Sequence, residues 1–292
     1  MMSSQQSRKP AGSVPRLRRG FTLIELMVVI SIIAMLVSLM APAVLQAVAR
    51  SRQLQCMNNL RQISVAIHSF HCTNRRLPEG NQPNRLWTFQ SRLLPFLGRS
   101  DLSDRIDFSF PDYCFFYRYK DEEGFEPQSV VLNTFSCPSD PNSGSICETY
   151  ASTHGRHAVN NYLGIIGSAP EAGDGLLYSG SRICLEDVRD GTTNTLILGE
   201  RGLPSDLQLG WSICAGGEKP DYSGNQDNVL STEAPLAEGS DDGTHNNHFW
   251  SHHAGSVVFA FADGSVKPLS TTISHPVFQS LSTRSKGDNV SF

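Results

Sequence analysis

His253 and Asp263 stand ten positions apart, with nine residues between them, near the C-terminal end of a 292-residue chain. A histidine and a carboxylate are the raw material of general acid–base catalysis or of a metal site. The spacing argues against a direct pair. The intervening residues alternate, with Val257, Phe259 and Phe261 on one side and Val258, Ala260 and Ala262 on the other. That is a buried strand, and ten residues of strand separate the two groups by about 33 Å. Asp263-Gly264 then reads as a two-residue hairpin turn, with both residues at positive φ, leading into the return strand SVKPL.

Other candidates cluster just upstream. "HNNHFWSHH" carries His245, His248, His252 and His253, and imidazoles three or four residues apart can share a transition metal. The stretch has no helical setting and no evident thiol or carboxylate beside it. Asp241 and Asp242 in "SDDG" could offer oxygens to calcium, although they fall far short of a complete calcium loop. No other cofactor is expected. Glu200 and Arg201 end the run "NTLILGER" and are expected to pair with each other at a strand terminus. "CFFYRYK" gathers aromatics and bases and reads as a strand with one core face. No G-x-S-x-G elbow, P-loop or G-x-G-x-x-G is present, so an enzyme reading has no motif behind it.

The seven cysteines are Cys56, Cys72, Cys114, Cys137, Cys147, Cys184 and Cys214, and no two form a C-x-x-C pair. Scattered cysteines in an exported chain point to disulfides, with at least one thiol left over. Cys137 and Cys147 flank the short loop CPSDPNSGSIC and are the expected local bridge.

The last candidate is an acid in an apolar setting. Glu25 immediately precedes 23 uncharged residues, Leu26 to Val48, while the whole chain is mildly polar, with mean hydropathy −0.24. As a helix this run spans roughly 35 Å, enough to cross a bilayer. Arg8, Lys9, Arg16, Arg18 and Arg19 precede it with no acid among them, which keeps the N-terminus cytoplasmic. The net charge is −4, and the chain beyond the leader holds 19 basic against 28 acidic residues, which argues against nucleic-acid binding. The run is long for a cleaved secretory signal and lacks a clear A-x-A exit. A plain anchor gives no reason for a carboxylate at the membrane edge.

Around these residues the chain divides into three expected parts: a basic leader over 1–20, one long helix over 21–72, and a domain over 73–292. The helix rests on the absence of Gly, with Pro42 the one proline in it. It rests also on a stripe at Cys56, Leu60, Ile63, Ile67 and Phe70. The remainder has short apolar runs between Gly, Asn, Asp and Pro clusters. "RLWTFQSRLLPFLG" reads as a short helix closed by Pro95 and Gly98. "NYLGIIGSA", "NTLILGER", "GWSICAGG" and "SVVFAFADGSVKPL" read as strands. The expected class is α+β: a long N-terminal helix followed by a mostly antiparallel, β-rich domain.

"RRGFTLIELMVVISIIAMLVSLMAPAV" resembles the class III signal of type IV prepilins and type II secretion pseudopilins. The resemblance implies cleavage after Gly20 by a prepilin peptidase and N-methylation of Phe21. It also implies a role for Glu25 in assembly with like subunits or with further copies of the chain. It further implies an inner-membrane protein, single-pass, with its C-terminal domain outside the cytoplasm. "QCMNNLRQISVAIHSFH", "LLPFLGRSDL", "FSCPSDP", "NNYLGIIG", "DVRDGTTNTLILGER" and "HHAGSVVFAFADGSV" resemble a narrower group. These are bacterial pseudopilin-like proteins with a C-terminal domain of undetermined function, sometimes labelled solute-binding. Its signature is a His, nine residues, then Asp-Gly: here His253, Asp263 and Gly264. This chain departs from it in having Ala254-Gly255 where two glycines are usual. The expectation is a structural subunit displaying an extracytoplasmic domain. The alternative is a membrane-anchored module that binds a solute or glycan.

Overall fold

The computed structural model describes residues 21–81, 87–109, 119–148, 156–203, 210, 228–237, 239 and 248–287. Helix α1 is continuous from Leu23 to Asn74, 52 residues. Pro42 lies inside it, where the missing N–H removes one helical bond without ending the element. The chain forms two compact units, one ending at Val48 and the other beginning at Ala49.

In the first unit, every described residue from Phe21 to Val48 is exposed. The helix start carries its own cap. The Thr22 hydroxyl accepts from the Glu25 N–H at 3.3 Å, and the Glu25 carboxylate accepts from the Thr22 N–H at 2.8 Å. This is a reciprocal capping box, read from T-x-x-E.

The second unit is built on a five-stranded sheet. Its strands, in chain order, are β3 (Tyr162–Gly167), β4 (Leu196–Glu200), β5 (Val229–Ser231), β6 (Ser256–Phe261) and β7 (Val266–Ser270). Their spatial order is β5-β3-β4-β6-β7, antiparallel except for the β3–β5 pair. A separate two-stranded ribbon pairs β1 (Ile146–Cys147) with β2 (His157–Ala158). The class is α+β, as expected. α2 (Phe89–Leu93) continues into a 3-10 turn that Gly98 closes in the left-handed region. α3 (Ser100–Ser103) follows directly.

Each face of the sheet has its own apolar cover. From α1, Cys56, Leu60, Ile63, Ala66 and Ile67 pack with Tyr162, Val258, Ala260 and Ala262. The expected stripe is thus the buried one, with Phe70 at its half-buried edge. The residues that β6 turns to the helix are small, which lets the backbone of the strand come close. Its other face carries Val257, Phe259 and Phe261 against Phe249 and against Phe278 and Leu281 near α4 (His275–Ser280). Phe249, Phe259 and Phe278 meet edge to face, at 5.3 to 6.3 Å between ring centroids.

Two contacts fix β6 along α1. Gln53 Nε2 donates to Ser256 Oγ at 3.0 Å where the strand begins. Beyond its end, the Gly264 turn lies against His68 and Ser64. From Gln53 to His68 the helix rises about 22 Å, close to the length of β6 extended by its turn.

The turn differs from the two-residue hairpin expected. Gly264 N–H donates to the Phe261 carbonyl, and Phe261 N–H donates to that of Ser265. Gly264 sits at φ +86, whereas Asp263 is not at positive φ. The loop is therefore the three-residue kind, a tight turn followed by one left-handed residue. Asp263 contributes by accepting the Ser265 N–H at 2.8 Å.

Gly264→Val is expected to cost about 2 kcal/mol or more, because a β-branched residue resists the positive φ of this turn. Gly264→Asn should cost distinctly less, since Asn tolerates this region. Thermal melts of the full chain in detergent measure both. A valine variant that melts with the wild type would contradict this account of the turn.

Candidate functional site

Four chain segments converge on one buried centre. Cys56 comes from α1, Cys137 from the CPSD loop, Glu200 from the end of β4, and His253 from the approach to β6. Their exposures are 0%, 1%, 2% and 8%. One sulfur, nitrogen or oxygen atom from each lies within 4.8 Å of those of the others.

Asn59 and Asn161 hold the CPSD loop in place. Asn59, one helical turn beyond Cys56, donates to the carbonyls of Asn133 (3.2 Å) and Ser136 (2.8 Å). Asn161 accepts the Cys137 N–H at 2.9 Å and donates to Asp140 Oδ2 at 2.8 Å. Asp140 Oδ2 also accepts the Leu203 N–H at 2.7 Å. Cys137 thereby reaches Cys56, and the two form a disulfide with a Cα–Cα separation of 5.3 Å. This corrects the expected Cys137–Cys147 bridge. Nearness in sequence set that expectation, whereas the loop is turned toward the helix by its asparagine ties. The bond joins residues 81 apart, for which chain entropy gives roughly 4 kcal/mol.

His253 reaches the centre through Nε2, which lies 3.5 Å from Glu200 Oε1 and 3.7 Å from Cys137 Sγ. Its Nδ1 faces Ser139 Oγ at 3.4 Å. Glu200 Oε2 takes the Val258 N–H at 3.4 Å, and Ser251 also bonds this carboxyl. Glu200 therefore meets His253, not the Arg201 partner expected. His253 and Asp263 fall at opposite ends of β6. Asp263 and Gly264 stay at the hairpin, where Asp263 favours the charged form of His68, although burial pushes His68 down overall.

The described histidines of this group go to separate partners. His248 bonds the Gly239 carbonyl, His252 lies 3.6 Å from Asp140 and edge-on to Trp250, and His253 enters the centre. Asp241, Asp242 and His245 lie outside the described residues, as do Gly20, Cys114, Cys214 and most of "CFFYRYK" and "GWSICAGG". The approach to β6 was expected to have no thiol or carboxylate nearby. The fold supplies both from segments at least 50 residues away. The signal was there: Cys56 on the buried helix stripe, and an acid ending an otherwise apolar strand.

An open cleft of about 700 Å³ is lined by Asp104–Asp107 and Tyr119–Glu123. Its Arg105 is paired with Asp121 and Glu123, and Lys120 with Glu126.

Burial governs the proton content of the centre. It pushes Glu200 from 4.5 up to about 8, against the hydrogen bonds from Ser251 and Val258. It pushes His253 from 6.5 down to about 4, aided by the charge of His252. Across the intervening range Glu200 therefore keeps its proton and His253 stays neutral. Stability from neutral Glu200 is complete below pH 4.5 and is lost as pH rises through about 8. Stability from neutral His253 is complete above pH 6.5 and is lost as pH falls through about 4. The two slopes cancel from pH 4.5 to 6.5. Thermal midpoints of the disulfide-bonded chain should be level there and decline toward pH 8. Glu200→Gln should flatten that alkaline decline, and a decline equally steep in Glu200→Gln would refute the assignment.

Comparison with known proteins accords with this anatomy. Residues 15–41 match the prokaryotic N-terminal methylation motif, which spans Gly20, Phe21 and Glu25. Over 98 residues the chain is 32% identical to the type IV major pilin protein PilA of Myxococcus xanthus (strain DK1622). The match covers 32% of this chain and 44% of that protein, so the chain spans less than half the length of the relative. No solved structure matches. Residues 46–275, which include every member of the buried centre, match the family described as "Protein of unknown function (DUF1559)". The chain is a type IV pilin-like protein with an N-terminal methylation motif, and it belongs to the DUF1559 family.

Proposed function

We propose that the chain is a structural subunit of a pilin or pseudopilin type, cleaved after Gly20 by a prepilin peptidase and N-methylated at Phe21. Leu26–Val48 holds it in the inner membrane as a single span, and the sheet domain lies outside the cytoplasm. The observation that supports this most directly is a coincidence of positions. The methylation motif covers the start of a helix whose apolar side chains from Leu23 to Val48 are all exposed within their own unit. Such a surface requires lipid or neighbouring helices.

Glu25 has two possible partners. In the single chain it closes the capping box with Thr22. In a multimer it would meet the cationic N-methylated amine of a neighbouring Phe21 within an apolar bundle, where one charge strongly favours the other. Substitutions separate the two. Glu25→Gln preserves a capping acceptor and removes the charge, and Thr22→Ala weakens the cap and preserves the charge.

If charge pairing selects assembled subunits, Glu25→Gln and Glu25→Leu should lose most crosslinked multimers in vivo while insertion and cleavage persist. Thr22→Ala should retain them. Multimers unchanged in Glu25→Leu would reduce the chain to a processed membrane anchor. Intact-mass and N-terminal peptide analysis should find methylated Phe21 as the first residue. A mature chain that keeps Met1, or that begins beyond Ala41, would overturn the processing assignment.

A further inference from the structure

The residues around the Cys56–Cys137 bond exceed what a structural disulfide needs. A disulfide is neutral and apolar, and it asks for no imidazole or carboxylate beside it. Yet Glu200 and His253 are buried against it, each at the cost of desolvating a titratable group. Their orientation is that of ligands. His253 turns Nε2 to the sulfur and the carboxylate, and Nδ1 to Ser139 Oγ. Metal-bound histidines use one nitrogen for the metal and give the other N–H to a supporting acceptor. Glu200 has Oε2 occupied by Val258 and keeps Oε1 toward His253.

We propose that, with Cys56 and Cys137 reduced, this centre is a closed four-ligand site for a zinc(II) ion. The ligands are the two sulfurs, His253 Nε2 and Glu200 Oε1. Two thiolates, an imidazole and a carboxylate form a donor set suited to tetrahedral zinc, and four protein ligands without an open position define a structural site. Tetrahedral geometry at bond lengths of 2.0–2.3 Å places ligand atoms roughly 3.3–3.8 Å apart. The atoms here fall within 4.8 Å of one another, so small side-chain rotations suffice.

The chemistry balances without a redox partner. The reduced centre holds two thiols, the carboxylic acid and a neutral imidazole. Zinc(II) displaces one proton from each thiol and one from Glu200, releasing three. His253 keeps its Nδ1 proton for Ser139. The metal centre then carries a net charge of −1. The disulfide is the alternative state of the same sulfurs, reached when a disulfide oxidant takes two electrons and two protons from the thiols. Metal and disulfide are therefore mutually exclusive, and whichever forms first ties α1 to the CPSD loop.

The test uses the full chain in detergent, reduced and then titrated with cobalt(II) followed by zinc(II). Cobalt should give tetrahedral ligand-field bands and a thiolate-to-metal charge-transfer band, and zinc should displace it at one equivalent per chain. The chain oxidised at Cys56–Cys137, confirmed by peptide mapping, should show no such binding. His253→Gln and Glu200→Gln leave every cysteine in place, and each should weaken binding at least tenfold. Cys137→Ser should abolish the charge-transfer band. Circular dichroism of the oxidised variants establishes that they fold. Failure of the reduced chain to bind metal would overturn the proposal. So would full-strength binding in both glutamine variants, which would assign the metal to other cysteines, or undiminished binding by the oxidised chain.

Discussion

A β-sheet buried on both faces needs two separate covers, and here one of them is the second half of α1. The rest of the domain depends on that docking. It requires small residues on the strand facing the helix, which Val258, Ala260 and Ala262 supply. It requires a matched length, set by the Gln53–Ser256 bond near one end of β6 and the Gly264–His68 approach near the other. It also requires the CPSD loop to be held against the helix, a task shared by Asn59 and Cys56. The His-x9-Asp-Gly signature acquires a physical meaning in this frame. Its histidine lies within 4.8 Å of Cys56 on α1 and its glycine faces His68, so the ten residues between them act as a spacer between two contacts on one helix.

Much of this was legible in the residues, for a reason that is local in each case. The spacing of Cys56, Leu60, Ile63 and Ile67 marks one helical face, and alternation from Val257 to Ala262 marks two strand faces. Such patterns report which side of an element is dry. They do not report which dry sides meet. The disulfide was misplaced for that reason, since Cys56 and Cys137 approach only through tertiary packing. Glu200 was assigned to its neighbour Arg201, although its partner comes from a loop 53 residues later. The hairpin was misread differently: Asp-Gly permits two turn types, and here the turn takes in Ala262 as well. The Thr22–Glu25 capping box was visible as T-x-x-E but was overshadowed by the apolar run behind it.

The two regions treat carboxylates in opposite ways. Glu25 stands on an exposed helix start and is satisfied by its own backbone neighbourhood. Glu200 lies in a dry interior, takes hydrogen bonds from Ser251 and Val258, and sits 3.5 Å from His253. The first can exchange its partner without disturbing a core. The second cannot, because removing His253 would leave a cavity beside a buried acid.

The position of the Cys56–Cys137 bond has a mechanical consequence. Cys56 lies in the part of α1 that belongs to the second unit, and the bond attaches the domain to the helix seven residues beyond the start of that unit. A pull on the chain N-terminal to Cys56 would therefore reach the domain at a covalent point, ahead of the apolar stripe at Leu60, Ile63 and Ile67. Packing contacts slip under a sustained pull in sequence, each yielding before the next is stretched. A covalent tie at the leading end carries the strain first and shields the contacts behind it from peeling.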